Sequence, residues 1–446
     1  MKISKRIIVT LFVIGGLFFT SLTAQQISPY LFGQNLWLTE GAEGRPGYID
    51  QIWPKVEQSG VEIIRIGGAG YDRNMPPLDT LIHWVKSIKA IGAEPLLQVS
   101  KFQSAQQAAD LVKYFNQSED LYIRFWSIGN EPYHMDKFSV DSISDYIKTH
   151  ATAMKAVDDK IKIFVPDLAA YYNNVYEALL KDDELSVAGR DENGNCYIDG
   201  INFHNYPNAK DYNRSDVIFF SVSKMRGMVM DLKKDIAYAN EKYARNGEDA
   251  LSWSITEFNI TYDNPDDLSP GGIAVPSFIN GQFWVDIFCM AMEYEAFTVT
   301  PWCIQESDRP RTYFGYVGGP PEFIPHSTYY HMQMLAENMN GEYIKMNTSS
   351  PFFKAFGSVD KGVTTIVLMN QHEEQFVEAD LNKINTKADN SAIAISSSRD
   401  IQANFKVRSA PNSTTLLQFD DQGRKIKELL YTQKMAIQNE PPQIIK

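Results

Sequence analysis

Eight short apolar, β-prone runs recur between residues 30 and 302, and segments with helical apolar spacing separate them. The segment 78–91 ends at Gly92, a common helix stop, and the segment 104–117 opens with Ser104 and Gln107 in capping-box spacing. Eight similar strand–helix units favour a closed (β/α)₈ TIM barrel over an open doubly wound sheet. The predicted strands are 30–37, 61–67, 95–99, 122–128, 161–165, 198–204, 252–258 and 297–302.

The pattern changes after about residue 340, where short strand-like runs are separated by Gly, Asp, Asn, Ser and Pro without convincing helices. This pattern predicts a small C-terminal β-sandwich over 341–435, followed by a polar tail over 436–446. The barrel is expected to occupy 25–340. A chain of 446 residues that is 44% hydrophobic can bury a core of this size. The predicted sandwich strands are 342–346, 352–356, 363–369, 375–379, 392–395, 405–408 and 414–419.

The first 24 residues have the pattern of a secretory signal peptide. Lys2, Lys5 and Arg6 precede an uncharged run over 7–24 that closes on Ser-Leu-Thr-Ala before Gln25. Leu22 is larger than the usual cleavage pattern has at this position, so an uncleaved anchor is the alternative to cleavage. We therefore expect an exported protein, secreted or periplasmic, with cleavage after residue 24. No later apolar stretch approaches the roughly 20 residues that a membrane span needs, so none is expected after signal removal.

Charge and cysteine content exclude several classes of partner and site. The net charge of −13 argues against nucleic-acid binding, which needs a basic face. Cys196, Cys289 and Cys303 have no Cys-x-x-Cys spacing, and buried small hydrophobic side chains are the expected state. The acidic loop 191–195 lacks the glycine and glutamate of a calcium loop, so a turn is expected there. We expect no metal and no cofactor. The oligomeric state stays open.

Two glutamates carry the functional prediction. Glu131, in Ser-Ile-Gly-Asn-Glu-Pro, follows the fourth predicted strand, and Glu257, in Ser-Ile-Thr-Glu-Phe-Asn, ends the seventh. The carboxyl ends of all strands in a parallel barrel meet at one rim, so these side chains are expected to face each other there. Two carboxyl groups about 5–5.5 Å apart are what a retaining glycosidase uses to cleave a glycosidic bond.

These motifs resemble those of the large clan of retaining (β/α)₈ glycoside hydrolases, which includes arabinofuranosidases, xylosidases, glucuronidases and several endoglucanases. The resemblance covers about residues 30–339 and implies that Glu131 is the acid/base and Glu257 the nucleophile, acting without a metal or cofactor. It also implies substrate-binding roles for five further residues. These are Asn130 at the sugar 2-hydroxyl, Arg65 and the pair His204 and Tyr206 beside the nucleophile, and Trp302 as an aromatic floor.

Each of these residues also has an ordinary structural interpretation. A single loop glutamate is commonly a solvated charge or a helix cap, Arg65 alone could be a structural ion pair, and His204 or Trp302 could belong to the core. The occurrence of all of them in barrel order favours a catalytic site. One departure is the absence of the histidine that some clan families carry after the third strand, where Gln98 and Lys101 stand instead.

The substrate predicted by this resemblance is a polysaccharide or its oligosaccharides, hydrolysed by double displacement with Glu131 protonated and Glu257 ionised. Apolar neighbours such as Trp126 are expected to keep Glu131 protonated. The arabinofuranosidase-like and xyloglucanase-like branches both remain open. Two alternatives are a transglycosylase that uses the same residues and a non-catalytic carbohydrate-binding barrel.

Five cationic residues fall on predicted rim loops, where they are either solvated or available to an anionic sugar substituent. The aromatic segment after the eighth strand, Tyr313, Phe314 and Tyr316, could line a sugar subsite or pack the loop. The rim cations are Arg73, Lys101, Lys137, Arg309 and Arg311.

Overall fold

The computed structural model describes residues 25–36, 48–119, 121–306, 311, 313–381, 395–398, 401, 403 and 405–445. The predicted signal peptide and Arg309 lie outside these residues.

Eight parallel strands follow one another in chain order around a single sheet, and a parallel bridge between Phe32 and Val299 joins the first strand region to the last. This confirms the predicted (β/α)₈ barrel. All eight predicted runs overlap a barrel strand; four strands lie inside the run that predicted them, three extend beyond one end of it, and the seventh matches it. The barrel strands are Gly33–Leu36, Ile63–Ile66, Glu94–Val99, Phe125–Ile128, Lys162–Leu168, Gly200–Asn205, Ser252–Phe258 and Thr298–Val299.

Amphipathic helices cover the outside of the barrel. The helix predicted over 78–91 is Leu78–Ala90, and the predicted capping box of Ser104 and Gln107 begins Ala105–Lys113. The other α-helices are Ile49–Gln58, Ala69–Arg73, Val140–Val157, Asn173–Lys181, Val222–Lys242, Phe278–Glu293, Ser327–Ala336 and Gln433–Ile437. The described residues also include two π-helical turns, Tyr114–Ser118 and Asp216–Ser221, and a 3₁₀ turn, Gly247–Asp249.

Large side chains fill the barrel interior below its carboxyl-terminal rim. Phe164 stacks on Phe297 with ring centroids 4.6 Å apart, and Phe125 and Tyr30 pack edge to face beside them. The next residue after Phe125, Trp126, points out of the barrel towards the helices, because successive strand residues face opposite sides. These rings fill the interior at the amino-terminal end, and the predicted site side chains lie at the other end.

Antiparallel strands form the C-terminal part, as the β-sandwich prediction requires. The large sheet contains seven strands in the order Gln25–Gln26, Glu342–Ile344, Phe353–Asp360, Val363–Asn370, Ser413–Phe419, Lys425–Thr432 and Gln443–Ile444. Two small sheets pair Met346–Thr348 with Ile395–Ser397 and Val377–Asp380 with Lys406–Ser409. These strands share a second hydrophobic core, which includes Phe353, Leu368 and Leu417.

Three features of this sheet were not predicted. Lys425–Thr432 is a strand, although its sequence is rich in lysine and glutamate. Several of its residues are only partly buried, so the strand can accommodate charged side chains. The segment predicted as a polar tail contains a strand, Gln443–Ile444, that pairs with Leu429 and Leu430. At the other end of the chain, Gln25–Gln26 pairs with Glu342 and Tyr343.

The helix Phe278–Glu293 is buried over its whole length between the barrel and the large sheet. Gln282 donates to the carbonyl of Ser413 at 3.1 Å, and Lys354 of the sheet forms a 2.6 Å ion pair with Asp286. Although this helix is apolar, within the described ranges no helix combines the length and hydropathy of a membrane span. The three cysteines are buried thiols, as predicted.

Candidate active site

The two glutamates face each other at the carboxyl-terminal rim. One carboxylate oxygen of Glu131, one of Glu257 and a ring nitrogen of His204 all lie within 4.8 Å of one another. Glu257 is the penultimate residue of the seventh strand, whereas Glu131 follows the fourth strand with a φ of 47°. The Glu131 amide holds this turned backbone by donating to the Asp167 carbonyl at 2.8 Å. The predicted pair of carboxylates is therefore brought together.

Arg65 is the cation at the centre of the site and is fully buried. Its Nη1 donates to Glu257 Oε1 and to Asn35 Oδ1, both at 2.9 Å, and its Nη2 donates to Asn130 Oδ1 at 2.7 Å. A fifth residue, Asp167, lies 3.6 Å from the same Nη2. The planar guanidinium thus orients the nucleophile candidate and the Asn130 side chain together, which the point charge of a lysine would not do.

His204 connects the acid/base candidate to a third carboxylate. Its Nδ1 lies 2.9 Å from Glu131 Oε1 and 3.6 Å from Glu257 Oε2, and its Nε2 lies 3.4 Å from Asp167 Oδ1. Burial opposes the charged imidazolium, but the negative charge of Glu257 and the contacts with Asp167 and Glu131 outweigh it and raise the pKa of His204 to about 9. The ring is therefore a cation at neutral pH.

Asp167 is a site residue that the sequence did not reveal. It is fully buried, and Thr256 donates a hydrogen bond to it. Burial disfavours its ionised form, yet Arg65 and His204 more than compensate and hold the pKa of Asp167 below its ordinary value. The cluster thus contains a permanently ionised carboxylate behind the two glutamates.

Tyr206 completes the surroundings of the nucleophile candidate. Its hydroxyl donates to Glu257 Oε2 at 2.9 Å. Burial and the nearby charge of Glu131 raise the pKa of Glu257 above its ordinary value, and the cations His204 and Arg65 together with this hydrogen bond offset only part of the rise. The Tyr206 ring centroid lies 6.3 Å from that of Phe314, which places part of the aromatic segment beside the nucleophile.

Trp302 follows the eighth strand by three residues and is 7% exposed. Its indole nitrogen donates to Glu306 at 2.9 Å, and its carbonyl accepts from Asn259. These contacts lock the ring at the rim, on the side of the seventh strand. In contrast, Tyr316 is buried and stacks on Trp284 away from the mouth.

A buried ion pair supports the backbone next to Glu131. Lys101 contacts Asp72 through its ammonium group and donates to the Asn130 carbonyl at 2.7 Å, while Asp72 accepts from the Asn130 amide at 2.8 Å. The peptide groups on both sides of Asn130 are thus held by opposite charges. Gln98 links this pair to the centre by donating to Asp72 at 2.8 Å. Lys101 and Gln98 are the residues that stand where some clan families carry a histidine.

Trp126 does not line the site, contrary to the expectation that it shields Glu131. Its ring packs against Phe115 with centroids 6.5 Å apart, and its indole nitrogen donates to the Ile123 carbonyl. The strand alternation that places Phe125 inside the barrel places Trp126 outside it.

Three of the rim cations are neutralised by the protein itself. Arg73 and Lys101 each form an ion pair with Asp136 at 2.9 Å. Arg311 donates from two nitrogens to the carboxylate of Asp263 at 2.6 and 2.7 Å. These side chains already have carboxylate partners. This arrangement does not support the expectation that these cations bind an anionic substituent of the sugar.

The donor atoms of Glu131, His204 and Glu257 are close enough for a metal ion to bridge them. A metal ligand must be a neutral imidazole with a free lone pair. In the described structure His204 Nδ1 instead contacts Glu131 Oε1 at 2.9 Å, and the pKa of the ring is raised to about 9, so the three side chains form a charged hydrogen-bond network.

The fold is that of known glycoside hydrolases. No family model matches the sequence, and no curated protein matches it either. Solved structures do match. An α-L-arabinofuranosidase from Thermotoga maritima superposes with a TM-score of 0.65 at 15% identity, covering 89% of this chain and 97% of the other.

Two further neighbours show the breadth of the likeness. The family 51 arabinofuranosidase from Xanthomonas axonopodis pv. citri has a TM-score of 0.62 at 13% identity over 90% of this chain and 98% of its own. A family 44 xyloglucanase from Paenibacillus polymyxa has a TM-score of 0.58 at 13% identity over 88% and 96%. The chain thus has the barrel-and-sandwich fold of this clan, as the sequence resemblance predicted, and the family within the clan is unresolved.

Proposed function

We propose that this protein is a retaining glycoside hydrolase that cleaves a polysaccharide or its oligosaccharides by double displacement. The observation that carries the proposal is the facing pair Glu131 and Glu257, with oxygens within 4.8 Å across a site lined by Arg65, His204 and Tyr206. Retaining enzymes hold their carboxyl groups about 5–5.5 Å apart, whereas inverting enzymes leave about 6.5–9.5 Å for a water.

In the first step Glu257 attacks the anomeric carbon of the sugar. The bond from that carbon to the leaving oxygen breaks, and Glu131 gives its proton to the departing oxygen. His204 Nδ1 contacts Oε1 of Glu131, so we assign the transferred proton to the second oxygen, Oε2. Arg65 and Tyr206 hold one oxygen of Glu257 each, which orients the carboxylate for attack.

In the second step Glu131 acts as a base. It removes a proton from water, and the water oxygen attacks the anomeric carbon while the ester bond to Glu257 breaks. His204 Nδ1 lies 2.9 Å from Glu131 Oε1 and orients the carboxylate for this step. Two displacements at one carbon give net retention, and both carboxyl groups return to their starting states.

The pairing of the rim cations favours a neutral sugar substrate. Arg73, Lys101 and Arg311 each contact a carboxylate of the protein, so an anionic substituent would have to displace an existing ion pair. The solved neighbours are described as enzymes for arabinofuranosides and xyloglucan, which are consistent with a neutral plant or algal polysaccharide.

Covalent labelling tests the proposal directly. The activated 2-deoxy-2-fluoro glycosides of glucose, xylose and arabinose, incubated with the protein, are expected to add the mass of one glycosyl group to a peptide that contains Glu257. The Glu257→Gln variant should stay unlabelled, whereas Glu241→Gln, a change on the outer helix, should label normally. Labelling at another residue, or failure to label together with no hydrolysis of a polysaccharide panel, would refute the assignment.

The same experiment separates the two alternatives. A non-catalytic carbohydrate-binding barrel would bind sugars without forming the ester. A transglycosylase would form the ester and pass the sugar to an acceptor sugar in preference to water, which product masses at high substrate concentration would show.

Export is the second part of the proposal and rests on residues 2–24 alone. The expected result is a mature protein that begins at Gln25 in the periplasm or the medium of an expression host. An N-terminal sequence that still contains Lys2 in the cytoplasmic fraction would contradict it.

A further inference from the structure

A pair of tyrosines lies on the loops that follow the fourth and fifth barrel strands. Tyr133 comes two residues after Glu131, and Tyr172 immediately precedes the helix Asn173–Lys181. Their ring centroids are 5.2 Å apart with the planes inclined at 56°, and both side chains are only partly buried. A partly exposed aromatic pair beside an acid/base candidate is a surface on which a sugar ring can stack.

The two loops are joined at the acid/base residue itself. The backbone hydrogen bond from the Glu131 amide to the Asp167 carbonyl, at 2.8 Å, links the end of the fourth strand to the end of the fifth. Partial burial raises the pKa of the Tyr172 hydroxyl, and the negative charge of Glu131 raises it further, as expected for neighbouring groups. The tyrosine pair therefore lies on the two loops that this hydrogen bond joins at Glu131.

Both loops are held firmly. In the first, the amides of Met135 and Phe138 donate to the carbonyls of Glu131 and Pro132 at 3.0 Å, and Asp136 pairs with Lys101. In the second, Tyr171 stacks on Tyr176 with centroids 5.0 Å apart and planes at 11°. Tyr176 in turn donates to the Asn202 carbonyl at 2.8 Å. Rings presented on such loops lose little further freedom on binding.

A second group of aromatic side chains lies on the nucleophile side. The Tyr206 hydroxyl donates to Glu257, and the Phe314 ring lies beside that of Tyr206. Trp302 follows the eighth strand. In a double displacement the nucleophile approaches the glycone sugar and the acid/base faces the leaving group. The two aromatic groups thus correspond to the two sides of the bond to be broken.

We propose that Tyr133 and Tyr172 form the subsite for the leaving group, and that the leaving group is itself a neutral sugar. The substrate then carries sugar rings on both sides of the scissile bond. This inference rests on the proposed function, because it takes Glu131 to be the acid/base. The inference specifies the chemical class of the leaving group, which the two carboxylates alone do not indicate.

The test compares two leaving groups attached to the same sugar. The probes are glycosyl fluorides, in both anomeric forms, and disaccharides of glucose, xylose and arabinose. The measurements use the fluoride and the disaccharide of the one sugar that the wild type hydrolyses fastest. Fluoride is too small to reach an aromatic subsite and needs little protonation. In Tyr172→Ala and Tyr133→Ala, kcat/KM for the disaccharide should fall about tenfold or more, since an aromatic contact of about 1.4 kcal/mol is lost.

The fluoride should be hydrolysed by both variants within about twofold of the wild type. Tyr172→Phe should retain most activity on the disaccharide, because the ring stays. The matched control is Tyr238→Ala, which removes an exposed tyrosine from the outer helix Val222–Lys242 and should change neither rate. Thermal melting is measured for every variant, and Tyr172→Leu replaces Tyr172→Ala if the latter is unfolded.

Equal losses on fluoride and disaccharide, or an unchanged rate on the disaccharide in both alanine variants, would overturn the subsite. Failure of the proposed function would give a different result. In that case either the wild type would hydrolyse neither probe, or Glu257→Ala would leave fluoride hydrolysis intact.

Discussion

Nε2 of His204 lies 3.4 Å from Oδ1 of Asp167, a carboxylate that is fully buried in the barrel mouth. The opposite ring nitrogen contacts Glu131. An imidazole between two carboxylates in a buried site is stabilised as a cation, because each neighbour favours the proton that faces it. Asp167 therefore acts together with Glu257 and Glu131 to favour the charged form of the ring that contacts both catalytic candidates.

The first prediction concerns stability and pH. His204 has a pKa of about 9 in the folded protein against an ordinary value of 6.5. Below pH 6.5 the ring is protonated in both states, so its stabilising effect is complete there. The effect is lost as the pH rises through 9, because the folded state then releases the proton as well. The free energy of unfolding of the wild type, relative to His204→Gln, should therefore fall by a few kcal/mol between pH 6.5 and pH 9.5.

Urea unfolding at several pH values measures this difference. The control is Met230→Leu, which changes an exposed side chain that does not titrate on the outer helix Val222–Lys242 and should shift the free energy of unfolding by the same amount at every pH. A pH-independent gap between the wild type and His204→Gln would mean that His204 is not a buried cation. In Asp167→Asn, the stabilising effect of His204 should be lost at a lower pH, because the contact that helps to raise the pKa of His204 is weakened.

Removal of the nucleophile gives the second prediction. Glu257→Ala should lower kcat for an activated aryl glycoside at least about 10³-fold, since no covalent ester can form. Azide should enter the space left by the side chain and restore turnover, and the product should be the glycosyl azide of inverted configuration. Kinetics and NMR of the product measure both effects. An unaffected rate in this variant would remove Glu257 from the mechanism.

Removal of the acid/base gives a result that depends on the leaving group. In Glu131→Ala, formation of the ester from an aryl glycoside with a good leaving group should proceed, while a disaccharide should become almost inert, because only the latter needs a proton. Azide should here give a product of retained configuration. A stopped-flow burst of the phenol, followed by slow turnover, is the expected signal. Equal losses for good and poor leaving groups would contradict the role of Glu131 as the acid.

The fourth prediction concerns Lys101, which holds the Asn130 carbonyl next to Glu131. Lys101→Met leaves Asp72 without its cation and should destabilise the protein by about 3–5 kcal/mol. It should also lower kcat for disaccharides more than for activated aryl glycosides, since it disturbs the acid/base backbone.

Lys155 provides a matched control. It is also buried, donates to the Cys196 carbonyl at 2.7 Å and pairs with Asp199 at 2.8 Å. Asp199 itself immediately precedes the amino-terminal end of the sixth barrel strand, far along the strand from the rim. Lys155→Met should cost similar stability and leave the dependence on the leaving group unchanged. The same kinetic pattern in both variants would assign Lys101 a purely structural role.

The barrel and the facing glutamates were predictable because both depend on local patterns. Apolar runs with a β-prone composition identify strands, and in a parallel barrel the position of a residue at a strand's carboxyl end determines which rim it occupies. Glu131 and Glu257 needed no further information. The contacts of Arg65 with Asn35 and Gln98 depend on strand registers, which the sequence does not reveal.

Asp167 was missed for a specific reason. The predicted fifth strand ended at Val165, because Pro166 normally interrupts a strand, whereas the strand continues to Leu168. A φ of 49° turns Asp167 at this irregular point of the sheet, where the pairing register shifts. An acidic residue directly after a proline at the end of a barrel strand was the available signal.

The pairing of Gln25–Gln26 with Glu342 and Tyr343 has a consequence for how the molecule is made. The amino-terminal edge of the large sheet is among the first parts to leave the ribosome, and its partner emerges only after the entire barrel has been synthesised. Closing this contact is a late event of high sequence separation, which slows folding. The strand Gln25–Gln26 therefore stays without its partner until the last quarter of the chain has been synthesised.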